Sequence, residues 1–177
     1  MSKSALRKEL QTFSREQLIE VVLNAYDSSA KAREYFEFFL KPDADAFLDR
    51  QVEIIAKELN RTKWGTCKGR ISIIRNAIKE YRNFGVDAPH VAKLIYFAFR
   101  MMLGQAYYYD LTPALHKAVP EFAAEYMRIA CECEALPKAL DNLRKSMTEL
   151  GRKNINREIE ARLAEEAASL SIRDFKI

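Results

Sequence analysis

Asp87-Ala-Pro-His-Val-Ala-Lys-Leu-Ile-Tyr-Phe-Ala-Phe-Arg-Met-Met-Leu-Gly-Gln-Ala-Tyr-Tyr-Tyr109 is the most apolar stretch of the chain, and its reading decides the fold. Asp87 can cap a helix by accepting a hydrogen bond from an orphan backbone N–H, and Pro89 suits a first helical turn, where its missing N–H costs nothing. From Val91 to Leu103 apolar residues occupy nearly every side of a 3.6-residue turn, with only Lys93 and Arg100 interrupting. A helix that is apolar almost all round is unsuited to water and must be wrapped by others. It falls short of the roughly 20 apolar residues that span a bilayer. The spacing therefore predicts a central helix from Asp87 to about Tyr109, the most buried of the fold.

Working outward, the same logic sets helix after helix. Toward the C-terminus, Thr112-Pro113 opens a helical segment that Pro120 should kink or split, because proline lacks an N–H and clashes with the preceding turn. Its second part should run to about Glu134. Leu136-Pro137 starts a helix to Leu150, closed by Gly151. A last helix, near Asn154 to Leu170, carries the stripe Ile155, Ile159, Leu163, Ala167, Leu170. Toward the N-terminus, Ile71, Ile74, Ile78 and Tyr81 line a helix that Phe84-Gly85 ends, and Asn60 to Gly69 is a break. Leu48, Val52, Ile55 and Leu59 step by helical spacings after Pro42-Asp43. Ser28 or Ser29 caps an aromatic-rich helix over 30–40. Ser14-Arg-Glu-Gln17 is a capping box, and Ser2 to Gln11 reads as a short helix.

Five glycines and five prolines in 177 residues supply too little turn chemistry for a many-stranded β fold. The fold expected is all-α: an irregular multi-helix bundle, or a short helical superhelix, of about nine helices. The short linkers predict one domain over 1–177, with 152–177 as an appended terminal helix. That helix either packs back on its own domain or pairs with a second copy, making the chain a monomer or a homodimer. The odd count of three cysteines, with Cys131 and Cys133 diverging on a helix, fits reduced thiols. No apolar leader is evident near Met1. Together these place the protein in the cytoplasm and away from membranes.

Leu6 to Glu20, Phe36 to Asp43 and Lys68 to Tyr81, with a weaker echo from Gly104 to Pro113, carry a resemblance. On these segments the chain resembles a family of small bacterial proteins catalogued only as a domain of unknown function, over roughly the first 145 residues. The resemblance implies an all-helical domain; it supplies no activity, and no functional residue is carried over from it.

The chemically biased stretch is Lys57 to Arg82, with eight basic and two acidic residues in a chain whose net charge is +4. Lys68, Arg75, Lys79 and Arg82 fall on one side of the helix after the break. Arg61, Lys63, Lys68, Arg70, Arg75, Lys79 and Arg82 are the candidate anion-binding residues. Helix-terminal N–H groups beside them suit phosphate, and Trp64 is available to stack. A pI near 8.9 is lower than a dedicated nucleic-acid binder shows. The bland reading is a solvated basic face. The acidic residues Glu121, Glu125, Glu132 and Glu134 are either a solvated face too or a complement to the basic helix.

Other chemistry is thinly supported. Gly65-Thr-Cys-Lys-Gly-Arg70 lacks the order of a phosphate-binding loop. His90 and His116 have no metal-ligating partner at helical spacing, and Asp87 is better spent as a cap. Cys67 sits among Lys63, Lys68 and Arg70, which favour a thiolate, but no base is nominated. Tyr96, Phe97, Phe99 and Tyr107 to Tyr109 either floor a ligand cleft or rim the core. No catalytic residue, metal ligand or cofactor is assigned. The leading expectation is a non-catalytic cytosolic interaction or adaptor domain with a protein partner. The alternative is nucleic-acid or phosphorylated-ligand binding through residues 61–82. The third is an enzyme using a cleft beside the central helix.

Overall fold

The computed structural model describes residues 1–177 other than 61–64, 66, 173–174 and 176–177. The described residues form nine α-helices and no β-strand: α1 (Lys3–Leu10), α2 (Arg15–Ser28), α3 (Ala30–Leu40), α4 (Ala44–Leu59), α5 (Ile71–Asn83), α6 (Ala88–Tyr108), α7 (Pro113–Glu132), α8 (Leu136–Leu150) and α9 (Lys153–Ser169). They divide into two compact units, Met1–Asp43 and Ala44–Ile177.

The larger unit is built on α6 and α7. Asp87 caps α6 by accepting from the His90 N–H, with Pro89 in the first turn. Leu94, Ile95, Ala98, Phe99, Met102 and Leu103 are all fully buried. The helix is covered by α4, α5, α7 and α8. It is not the most buried one, however. Eleven of the twenty residues of α7 are buried, against nine of the twenty-one of α6. The reason is composition. Ala118, Ala123, Ala124 and Ala130 of α7 bury little area each but allow neighbouring backbones to come close, so α7 packs against α5, α6, α8 and α9. Nor does Pro120 divide the helix. Pro113–Glu132 is one helix with Pro120 buried inside it, so the packing around α7 outweighs the ~3 kcal/mol cost of an internal proline.

The terminal stripe is covered within its own unit. Ile155, Ile159, Leu163 and Ala167 of α9 are buried, and α9 packs on α7. Between these two helices lies a buried carboxylate, Glu166, with its side chain 7% exposed. It accepts from Arg128 Nε at 2.6 Å and pairs with Arg162 Nη2 at 3.1 Å, while Arg162 Nε reaches Glu121 Oε1 at 3.1 Å. The hydrogen bond from Arg128, joined by that from Arg162, holds the Glu166 carboxyl below its ordinary range. Elsewhere Tyr96 Oη lies 2.9 Å from Ser146 Oγ, and Asn142 Nδ2 donates to Tyr126 Oη at 2.9 Å, joining α6, α7 and α8 through satisfied polar groups. Tyr81 of α5 donates to the Ala44 carbonyl at 2.9 Å, and burial pushes its hydroxyl pKa up to about 12.

The smaller unit follows its local signals. Ser14 accepts from the Gln17 N–H while the Gln17 side chain accepts from the Ser14 N–H, completing the capping box. Phe13 and Leu18 hold the N′ and N4 positions of a hydrophobic staple around it. Ser29 caps α3, and α2 packs against α3, with Tyr26 Oη 3.1 Å from Glu37 Oε1. None of the three helices has a buried residue.

Leu94→Ala and Phe99→Ala should each cost about 2–5 kcal/mol in chemical denaturation, from lost burial plus a cavity. A loss below about 0.5 kcal/mol at both positions, the size of an ordinary surface change, would contradict the packing of α6.

Candidate functional site

Three surfaces merit attention, beginning with the basic break and helix. Arg61, Lys63 and Trp64 lie outside the described residues. Of the other five candidates, Arg70 is the most committed. Its Nε and Nη2 donate to the two carboxylate oxygens of Glu58 at 2.9 and 2.6 Å. Glu58 is on α4, its side chain 6% exposed, and the hydrogen bonds from Arg70 hold its pKa below the usual range despite the desolvation. The backbone reinforces this clamp: the Gly69 N–H donates to the Glu58 carbonyl at 2.9 Å. Gly69 has φ +57°, and a Cβ there would meet Leu115 Cδ1 at 2.5 Å, so this turn is closed to other side chains.

Along α5 the structure brings Arg75, Lys79 and Arg82 onto exposed positions, with Ile74, Ala77, Ile78 and Tyr81 facing the core. Arg82 pairs with Glu125 of α7 at 2.9 Å. The Arg75 guanidinium lies 5.5 Å from the ring centroid of the buried Phe122. Glu125 and Glu121 are thus partners and not a solvated face, Glu125 answering the basic helix and Glu121 answering α9, while Glu132 and Glu134 are exposed. Lys68 and Lys79 are exposed, and neither has an ion-pair partner among the described residues. An anion arriving here would meet two free lysines and two arginines already neutralised by carboxylates.

The second surface is a cleft of about 250 Å³ at the C-terminal end of α6. Cys67, Gln105, Tyr109, Asp110, Thr112 and Leu115 contribute to its lining. Thr112 caps α7 by accepting from the Leu115 N–H at 3.3 Å. Among the described residues no histidine lines the cleft, and the side chain of the one carboxylate there, Asp110, is fully exposed, 3.6 Å from Arg152. Cys67 is half-buried here, with no histidine beside it among the described residues that line the cleft. The aromatic residues are divided: Phe99 is in the core, Tyr96 in the Ser146 pair, Tyr109 in the cleft, and Tyr107 and Tyr108 in solvent. His90 bonds Asp87, and His116 Nδ1 lies 3.4 Å from Glu158. Cys131 and Cys133 are half-buried, not buried, with the Cys133 thiol donating to the Ile129 carbonyl at 3.2 Å. Among the described residues no group of three His, Cys, Asp or Glu side chains is placed to hold a metal ion, and no helix is long and apolar enough to cross a membrane.

The third surface was not singled out by the sequence. In the Met1–Asp43 unit, Leu6, Leu18, Ile19, Val22, Leu23 and Phe39 are all exposed, Leu23 by 56% and Phe39 by 66%. At 100° per residue Leu18, Ile19, Val21, Val22, Leu23 and Ala25 spread over roughly 200° of α2, wider than the single stripe one packing partner needs. The signal that could have revealed it is this excess width.

Residues 1–112 match the sequence model of a family described as a family of unknown function (DUF6155). No curated protein and no solved structure matches the chain. The matched span takes in all the segments that carried the resemblance up to Thr112, and it ends short of the roughly 145 residues expected.

Glu58→Gln should lower stability by about 1 kcal/mol at neutral pH, the low end for a buried charged partner because Arg70 keeps half its side chain in water. The folded-state pKa of Glu58 lies below its unfolded value, so its contribution is complete above that value and is lost as pH falls through the folded one. Denaturation at several pH values should therefore show a constant gap between native and variant chains above about pH 5 that closes in acid. A gap that widens on acidification would contradict the pairing.

Proposed function

The chain belongs to the DUF6155 family, and for it we propose an interaction function in which α1–α3 dock a partner protein on their apolar faces. One observation carries this reading: three helices bury no residue while exposing Leu6, Leu18, Ile19, Val22, Leu23 and Phe39. Exposed apolar side chains in this number on so small a unit suit an interaction site, because water leaves them readily when a complementary surface arrives. The larger unit meets its own burial needs, so the two parts divide into scaffold and docking surface. All three helices lie within the family-matched span. The three unpaired cysteines suit the reducing cytoplasm as the place of action.

Anion binding through Lys68, Arg75 and Lys79 is the weaker alternative, since Glu58 and Glu125 already engage Arg70 and Arg82. Catalysis in the Cys67 cleft is weaker still, since no histidine lines it among the described residues.

Hydroxyl-radical footprinting of the full chain, purified and in native cell extract, tests the proposal. Leu18, Leu23 and Phe39 should be reactive in the purified chain and protected in extract, while α6 and α7 stay equally protected in both. Equal reactivity of the three residues in both samples would refute docking on this unit.

A further inference from the structure

Within the Met1–Asp43 unit, α1 and α2 border a groove of about 530 Å³. Leu6, Leu10, Phe13 and Leu18 supply its apolar lining, and Lys3 and Arg7 its charge; no carboxylate lines it. The placement follows from the sequence. At 100° per residue Leu6, Leu10, Lys3 and Arg7 share an arc of about 100° on α1, apolar side chains at one edge and basic ones at the other. Lys3 and Arg7 stand one helical turn apart, and neither has an ion-pair partner among the described residues.

From this geometry we infer that the groove takes an acidic amphipathic helix of a partner protein. Leucine-type anchors at i, i+3 or i+4, and i+7 would fill the apolar lining, and two carboxylates one turn apart would face Lys3 and Arg7. The inference rests on the docking reading above and names the chemistry of its partner. Two features favour this occupant. A second copy whose two-fold axis passed through this groove would bring its own Lys3 and Arg7 against the first pair, and like charges oppose that contact. An anionic lipid surface prefers an apolar face of net positive charge, whereas residues 1–43 hold seven basic and seven acidic side chains.

Fluorescence anisotropy with the full chain and two labelled helical peptides tests it. Both peptides carry the same leucine stripe; one has Glu and the other Lys at the flanking positions. The Glu peptide should bind at least about fivefold more tightly at low salt, the advantage should shrink as salt rises, and the double variant Lys3→Glu/Arg7→Glu should invert it with an unchanged melting curve. Equal binding of both peptides, abolished by Leu18→Asp, would overturn the acidic preference while leaving docking on this unit intact. Binding of neither peptide would overturn the inference, with footprint protection then judging the docking reading separately. Sedimentation of the chain with phosphatidylglycerol vesicles, lost in the double variant and without peptide selectivity, would replace the partner helix by a membrane. A concentration-dependent dimer in light scattering, dispersed by Leu18→Asp, would replace it by a second copy.

Discussion

The mutual burial of α6 and α7 is the constraint on which the larger unit depends. The first brings large side chains on nearly every face, and the second brings alanines that let backbones close in. Leu94, Phe99, Met102 and Leu103 of α6 and Phe122, Ala123 and Met127 of α7 are all fully buried where the two helices pack. The remaining sides of α6 are covered by α4, α5 and α8, and those of α7 by α5, α8 and α9. Polar groups enter this interior almost only with partners. Glu58 comes with Arg70, Glu166 with Arg128 and Arg162, and Tyr96 with Ser146. Each is a carboxylate or hydroxyl that would be costly to bury alone.

Local chemistry made the helix boundaries legible. The Ser14 capping box, Asp87 before Pro89, Thr112-Pro113 and the Leu136–Leu150 span all have their signals within a few residues, and the structure places helices there. What sequence alone missed depends on distant neighbours. Alanine-rich α7 is less apolar than α6, and its position among four helices makes it the most buried. Arg70 reads as a free cation until α4 brings Glu58 beside it, and Arg82 until α7 brings Glu125. The stripes of α1–α3 have the period of core stripes. Periodicity says that a face is apolar, not that something covers it.

The family match ends at Thr112, one residue before α7 begins. Because α7 covers much of α6, the matched span stops inside a packed core and not at its edge. The basic helix, the clamp at Glu58 and the apolar faces of α1–α3 all lie within it. Two kinds of residue separate by position: those of the larger unit's core are paired or buried, and those on the faces of α1–α3 are apolar and exposed.

If residues 44–177 build the core without help from α1–α3, backbone amides must report the division. Native-state hydrogen exchange of the isolated full chain should find α6 and α7 amides opening only with global unfolding, and those of α1–α3 opening at a small fraction of that free energy. Protection of α1–α3 equal to that of α6 and α7 would contradict it, because such helices would then have to belong to the core.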